Sequence, residues 1–219
     1  MLFKIPNLLT TEELTEMRSR LEKAEFQDGK LTAGWYAQQV KQNQQINAKE
    51  ARKLSEIIKT ALQRHPLVQA AIRPKIIHSI LFSRYEVGMA YGRHVDNALM
   101  GENGLRSDVS FTVFLNPPEA YNGGELIIEG ADDEKAYKLE AGSAIAYPST
   151  TLHRVEPVTQ GSRLVAVGWI QSLVRNAAYR EILFDLDTAR RSIFAQQGKT
   201  PEFDLISKSL ANLLRQWVD

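Results

Sequence analysis

Two histidines and one aspartate are the residues of this sequence whose types and spacing could hold a catalytic metal ion. His94 and Asp96 lie two residues apart in the segment Tyr91-Gly-Arg-His-Val-Asp. In an extended chain successive side chains point to opposite sides, so His94 and Asp96 would share one face. A third ligand must come from elsewhere, and His153, at the start of a predicted facing strand, is the best placed.

The other two histidines are interpreted as structural. His65 precedes a proline at a predicted helix end, and His78 lies within an apolar strand pattern. Two imidazoles and one carboxylate leave about three adjacent positions open on an octahedral metal, which suits non-haem Fe(II). Zinc hydrolases use the same ligand types, so the ligands alone leave the metal open.

Arg163 adds a second chemical requirement. It opens the pattern Arg163-Leu-Val-Ala-Val-Gly-Trp-Ile-Gln and shares a predicted interior face with Val165, Val167 and Trp169. A buried arginine is costly unless an anion pairs with it, and its planar fork matches a carboxylate. A mobile dicarboxylate such as 2-oxoglutarate would satisfy it and could chelate the metal at its other end. The alternative is an arginine at a strand end that reaches solvent or a local glutamate.

Predicted strands and helices must position these residues. Short alternating segments, Ile76 to Tyr85, Val109 to Leu115, Glu125 to Glu129, Ser143 to Tyr147 and Arg163 to Gln171, predict a β-sandwich or barrel rather than repeated βαβ units. Helices are predicted before and after these strands in the chain. Thr10 with Glu13, and Asn47 with Glu50, are typical of helix starts, and Thr200-Pro201 predicts the start of the last helix. The polar segment around Trp35, Tyr36 and residues 42–45 is interpreted as a surface loop, with a lid over the site as the alternative.

Composition narrows the function classes. The 219 residues contain no cysteine, which excludes disulfides, thiolate zinc sites and iron–sulfur clusters. The net charge of +1 predicts no specific nucleic-acid binding. No apolar run of membrane-spanning length or leader pattern occurs, so we expect no membrane association and a cytoplasmic location.

A longer motif resembles a known family. The segment Tyr85-Glu-Val-Gly-Met-Ala-Tyr-Gly-Arg-His-Val-Asp96 is similar to the Tyr-x-x-Gly-x-x-Tyr-x-x-His-x-Asp segment of the prolyl 4-hydroxylase superfamily. Gly123-Gly124-Glu125, Gly142-Ser143-Ala144, His153-x-Val155 and Gly161-Ser162-Arg163 follow in that superfamily's order. Arginine rather than lysine at the last position resembles the bacterial PKHD-type hydroxylases, and the resemblance covers nearly the whole chain.

The resemblance implies an α+β fold with a double-stranded β-helix, the cupin-like jelly roll, as its core. It implies N-terminal helices outside the core (1–75), an Fe(II)/2-oxoglutarate dioxygenase core (76–175) and a C-terminal helical pair (176–219). It also implies iron at His94, Asp96 and His153, and 2-oxoglutarate at Arg163 with Tyr85. Ascorbate as the reductant of the iron and a link to iron homeostasis are implied by the resemblance alone.

The predicted function is hydroxylation of an unidentified small-molecule or peptidyl substrate by O2, with release of succinate and CO2. Two alternatives stay open: a cupin-like metal-dependent isomerase or hydrolase, against which Arg163 argues, and a non-catalytic module that senses iron or 2-oxoglutarate. Asn97 and Arg106, in the segment after the ligand pair, are predicted to shape the substrate entrance. The apolar residues of the C-terminal helices predict packing on the core, with a homodimer interface as the second interpretation.

Overall fold

The computed structural model describes residues 1–101 and 103–219. Fifteen strands are assigned within them: β1 (Phe3–Ile5), β2 (Phe26–Asp28), β3 (Gln44–Ile46), β4 (Pro74–Tyr85), β5 (Tyr91–His94), β6 (Leu99–Met100), β7 (Leu105–Arg106), β8 (Val109–Phe114), β9 (Tyr121–Gly123), β10 (Leu126–Glu129), β11 (Glu134–Tyr137), β12 (Ala144–Pro148), β13 (His153–Val155), β14 (Val158–Gly161) and β15 (Arg163–Ser172). The α-helices are α1 (Thr11–Glu22), α2 (Ala48–Arg64), α3 (Ala177–Gln197) and α4 (Pro201–Trp217).

Two antiparallel sheets form the core of the fold. The larger has the strand order β1-β12-β8-β15-β4-β3-β2, and the smaller has the order β11-β10-β13-β5. Many neighbouring strands in these orders, such as β8 and β15 or β13 and β5, are distant in the chain, as in the predicted jelly roll. Apolar side chains from both sheets, among them Phe114, Ile145 and Val165 of the larger and Leu126 and Ile128 of the smaller, form one buried cluster. This cluster packs the sheets together and leaves one end of the space between them for the site.

The N-terminal helices cover the outer face of the larger sheet. Met17 and Leu21 of α1 and Leu54 and Ile58 of α2 join the buried cluster on that face. The predicted helix starts are confirmed. Thr10 accepts a hydrogen bond from the backbone of Glu13, whose side chain accepts one in return, and Asn47 caps α2. Burial of the apolar face of each helix therefore sets its orientation.

The region before residue 75 also contributes strands. β1 pairs with β12, and β2 and β3 extend the larger sheet beyond β4. The prediction of a loop at 42–45 is therefore wrong for Gln44 and Gln45, because these residues belong to β3 and pair with β4. Strands of three residues are too short to show a periodic pattern. The domain boundaries at 75 and 175 stay a prediction.

The C-terminal helical pair packs on itself and on the end of the core. Val174, Leu183 and Leu210 form a third buried cluster, against which Leu214 and Trp217 pack. Thr200 caps α4, with Pro201 in its first turn, as predicted. None of the helices in the described part of the chain is long and apolar enough to cross a lipid bilayer.

Candidate active site

The pairing of two short strands brings the predicted metal ligands together. β13 pairs with β5 in the register that places His153 directly opposite His94. Asp96 follows two residues after His94, so its side chain lies on the same side of the sheet. One potential ligand atom from each of the three side chains lies within 4.8 Å of the other two. Three groups that are distant in the sequence thus form one metal-sized cluster.

Backbone carbonyls orient both imidazoles. Nδ1 of His94 lies 2.8 Å from the carbonyl oxygen of Gly92, and Nδ1 of His153 lies 3.0 Å from that of Thr151. A ring that donates its Nδ1–H to a carbonyl carries its lone pair on Nε2, the nitrogen available to a metal. His153 Nε2 is 3.9 Å from Asp96 Oδ2. Each ring is thereby set with its potential ligand atom toward the carboxylate.

Burial keeps the imidazole of His94 in the form that binds metal. Desolvation, reinforced by the neighbouring His153, lowers the pKa of His94 to about 4. His94 is therefore neutral near pH 7. The hydroxyl of Ser110 donates a hydrogen bond to Oδ2 of Asp96, and it lies 2.8 Å from the hydroxyl of Ser149. Ser110 thus holds the carboxylate, a role that a serine in an alternating strand does not reveal in the sequence.

Arg163 is buried without a partner for its charge. It is 1% exposed, and its Nε and Nη1 have no hydrogen-bond partner among the described residues. The guanidinium lies 5.0 Å from the ring centre of Tyr85 and 5.7 Å from that of Phe114. Tyr85 is directly opposite Arg163 in the pairing of β4 with β15. An unpaired buried charge is costly, so the guanidinium is suited to pair with an anion.

One cavity of about 430 Å³ connects the histidine–aspartate cluster to Arg163. This volume is within the range of small-molecule sites. Its walls differ in character. Side chains of β15 and of the segment after Asp96, including Val167, Trp169 and Leu99, form an apolar side, whereas the N-terminal region supplies Lys41 and Asn43. Both amide atoms of Asn43 are buried without a partner in the described part of the chain.

The N-terminal segment that lines this cavity is hydrogen-bonded to the ligand strand. The backbone N–H of Gln42 donates to the carbonyl of Ala90 (2.9 Å), and Lys41 bridges to Tyr91. The hydroxyl of Tyr36 donates to the carbonyl of Val95 (3.1 Å). Residues 36–42 therefore form a wall of the site, and whether they move as a lid stays a prediction.

The two predicted entrance residues have different positions. Asn97 lines the cavity, and its side-chain oxygen is 3.4 Å from the Tyr36 hydroxyl. Arg106 lies outside the residues that line the cavity, because it pairs with Asp108 at 2.8 Å and donates to the carbonyl of Ser172. Sequence reasoning also missed Lys41 and Asn43. The signal that could have identified them is their alternation with Gln45, in a segment that was interpreted as a loop.

Two family models match the chain. The model of the 2OG-Fe(II) oxygenase superfamily matches residues 80–171, which contain all three predicted ligands and Arg163. The model of the PKHD-type hydroxylase C-terminal domain matches residues 178–219. The second match covers α3 and α4, which lie outside the jelly roll.

Solved structures share the fold. A prolyl-4-hydroxylase from Pseudomonas putida aligns with a TM-score of 0.53 and 20% identity, over 78% of this chain and 92% of that one. A prolyl hydroxylase from Trichoplax adhaerens, solved with a hypoxia inducible factor peptide fragment, aligns with a TM-score of 0.57 and 16% identity, over 77% of this chain and 83% of that one. At these identities the likeness supports the jelly roll alone.

Curated relatives match over their full length. A PKHD-type hydroxylase from Gloeothece citriformis is 66% identical, with 100% of both chains covered. Another, from Picosynechococcus, is 65% identical over 99% of each. Conserved identity at this level extends through the core and the C-terminal helices. The chain therefore belongs to the PKHD-type hydroxylases, dioxygenases of the 2OG-Fe(II) oxygenase superfamily.

Proposed function

We propose that His94, Asp96 and His153 hold Fe(II), that Arg163 with Tyr85 holds 2-oxoglutarate, and that the enzyme hydroxylates a substrate bound in the same cavity. One observation carries the proposal. A single cavity contains two groups: the oriented cluster of two imidazoles and a carboxylate, and a buried arginine that has no anionic partner among the described residues. A metal and a dianion satisfy these two requirements together.

The donor set fits the metal. Neutral imidazole nitrogens and one carboxylate oxygen on one side are the ligands that non-haem Fe(II) oxygenases use, with the remaining positions open. The carbonyls of Gly92 and Thr151 fix the tautomers of the two rings. Ser110 restrains the carboxylate of Asp96. Such outer contacts commonly change metal affinity by about 10- to 100-fold.

The region around Arg163 fits a carboxylate. Two donors of the guanidinium, Nε and Nη1, have no partner in the described part of the chain. A planar guanidinium can pair with a carboxylate through two hydrogen bonds, end-on through Nη1 and Nη2 or side-on through Nε and Nη2. Desolvation raises the pKa of Tyr85, although the Arg163 charge acts in the opposite direction. Its hydroxyl is therefore a proton donor at neutral pH, suited to an anionic oxygen.

When bound, iron and 2-oxoglutarate supply the oxidising chemistry, in which O2 converts the keto acid to succinate and CO2 and one oxygen atom enters a C–H bond of the substrate. The protein binds and orients. The triad would hold the metal and Arg163 would hold the far carboxylate of the co-substrate, which limits the directions from which a substrate can approach. The apolar wall formed by Val167, Trp169 and Leu99 excludes water from that space.

Anaerobic addition of Fe(II) and 2-oxoglutarate tests the proposal. Chelation of ferrous iron by the keto acid should give a weak visible charge-transfer band. The band should be lost in His153→Ala, because one ligand is missing, and should keep its intensity in Arg93→Met, whose side chain is exposed on the same strand as His94 and pairs with Glu129. A folded wild-type protein that gives no band would refute the assignment.

Several finer features, some implied by the resemblance and some by sequence patterns, stay predictions. These are ascorbate as the reductant that keeps the iron ferrous, a link to iron homeostasis, a cytoplasmic location and a homodimer through α3 and α4. A small-molecule and a peptidyl substrate both remain compatible with the cavity. Formation of succinate coupled to consumption of a substrate would separate the hydroxylase from a sensor that only binds iron and 2-oxoglutarate.

A further inference from the structure

Lys41 is a buried cation in the active-site cavity for which the proposed function has no use. Its side chain lines the cavity, and the residue is 4% exposed. Its ammonium donates to the hydroxyl of Thr32 (2.9 Å) and lies 5.5 Å from the ring centre of Tyr91. Tyr91 in turn stacks on His94, with ring centres 3.7 Å apart. Lys41 is therefore one aromatic ring away from a proposed iron ligand.

No described carboxylate neutralises Lys41. Asp28 and Asp96 both exert an electrostatic influence on it, yet neither forms an ion pair with it within 4.0 Å. An ammonium has three N–H donors, and Thr32 accounts for one. Desolvation lowers the pKa of Lys41 to about 8, so the group is still largely protonated at neutral pH. A buried ammonium with a single neutral acceptor is energetically costly unless an anion accepts its remaining hydrogen bonds.

The charge balance of the cavity with iron and 2-oxoglutarate bound gives a second reason for an anion beside Lys41, and it rests on the proposed function. Ferrous iron and Arg163 together carry three positive charges, and Asp96 and the 2-oxoglutarate dianion together carry three negative ones. These cancel within the cavity. Of the described residues that line the cavity and carry a charge, Lys41 is then the one whose positive charge is not balanced. A single negative charge on the substrate would balance it.

The surroundings of Lys41 favour a carboxylate attached to an apolar body. Lys41, Asn43 and Gln45 alternate along the chain, and all three are buried and line the cavity. Gln45 is occupied by hydrogen bonds to Thr32 (2.6 Å) and Ser83 (2.9 Å), whereas the amide of Asn43 has no partner in the described part of the chain. The apolar side chains of Val167 and Trp169 line the same cavity. One cation beside one amide matches a monoanion better than a phosphate dianion.

We propose that Lys41 recognises a carboxylate of the prime substrate, so that the substrate class is an apolar or partly apolar carboxylic acid whose C–H bond is held toward the iron. The substrate thereby enters with its acidic end on the wall formed by Lys41 and Asn43. Its hydrocarbon part then lies against Val167 and Trp169. Lys41 acts here as a residue that determines specificity.

Hexanoate and its neutral analogue hexanamide test this assignment. Each is titrated anaerobically into the wild-type complex with saturating Fe(II) and 2-oxoglutarate, so that Arg163 is occupied, and binding is followed by calorimetry and by the charge-transfer band. Hexanoate should bind more tightly than hexanamide. Lys41→Met should weaken hexanoate by about 10- to 100-fold, the loss expected for a charge-assisted hydrogen bond, and leave hexanamide unchanged.

Two further variants serve as controls. Lys41→Arg keeps the charge and should retain the preference for hexanoate, and Lys30→Met removes an exposed lysine of the same region and should change neither affinity. Equal affinity of the wild type for the two compounds, or no binding of either, overturns the proposal without any variant. An equal loss for both compounds in Lys41→Met also overturns it, because it indicates a structural role. Absence of the charge-transfer band in the wild type instead overturns the proposed function.

Discussion

Replacement of Arg163 by methionine should change ligand binding and protein stability in opposite directions. The guanidinium has two orphaned donors in the cavity. Two charge-assisted hydrogen bonds at about 1.5–3 kcal/mol each contribute at least about 3 kcal/mol to binding of a carboxylate. The dissociation constant of 2-oxoglutarate should therefore rise by more than about a hundredfold. Iron binding should change little, because Arg163 is not one of the residues in the metal cluster.

The ligand-free protein should respond differently. Arg163 is fully buried and forms no ion pair with a described carboxylate within 4.0 Å. Replacement of buried charges by apolar side chains of similar size is often neutral or stabilising by about 1–4 kcal/mol. The free energy of unfolding of the ligand-free variant should thus equal or exceed that of the wild type. Saturating 2-oxoglutarate should stabilise the wild type through linkage and leave the variant unchanged.

Urea unfolding with and without 2-oxoglutarate, together with calorimetric titration of the co-substrate, measures both effects. Arg93→Met is the matched control, because this arginine is exposed and should affect neither quantity. Unchanged co-substrate affinity in Arg163→Met would show that another residue binds the dicarboxylate. A variant destabilised by several kcal/mol without ligand would show that the guanidinium already has a partner, and the reasoning from an uncompensated charge would fail.

Three further outcomes are expected. Ser110→Ala removes the hydrogen bond to Asp96 and should weaken Fe(II) by about 10- to 100-fold in a chelator competition, with co-substrate affinity at Arg163 preserved once iron is saturating. The iron-free protein should lose stability as the pH falls from the ordinary histidine pKa of 6.5 toward about 4, because the unfolded chain then binds a proton that buried His94 does not. Urea unfolding at several pH values should show this loss of stability, and His94→Gln should reduce it. Gly124 has a φ of +67°, and a Cβ added there would lie 3.1 Å from Cδ of Arg163. Gly124→Ala should therefore reduce both stability and 2-oxoglutarate affinity by about 1–3 kcal/mol each. Unchanged 2-oxoglutarate affinity in a titration would show that this glycine does not position the arginine.

Local patterns in the sequence were sufficient for much of the fold. Capping residues predicted the starts of α1, α2 and α4, and alternation predicted β4, β8, β12 and β15, because both signals act within a few residues. Very short strands were not predictable in this way. β1, β2 and β3 are three residues long, and their pairing with distant strands provides the stability that their own sequence does not.

The residue types of the site were likewise readable, while their arrangement was not. His94 and Asp96 share a face by local alternation. His153 was the best placed of the other histidines, Arg163 opened a strand with an apolar face, and the family motif added Tyr85. Only the register between β5 and β13 places His153 opposite His94. Only the packed sheets show that Arg163 is buried without a carboxylate partner among the described residues. Pairing between distant strands depends on the packing of the whole core, which no local pattern contains.

Lys41 shows most clearly what can be learned from the sequence and what only the tertiary structure provides. In the sequence it precedes the polar stretch 42–45, which composition alone assigned to a surface loop. In the structure its backbone bridges to Tyr91, and its ammonium is buried in the cavity. The sequence by itself predicted a metal-binding cluster and an arginine for a carboxylate on a jelly roll. The tertiary structure decided which charges are left uncompensated there, because burial and distance between groups far apart in the chain are properties of the folded molecule.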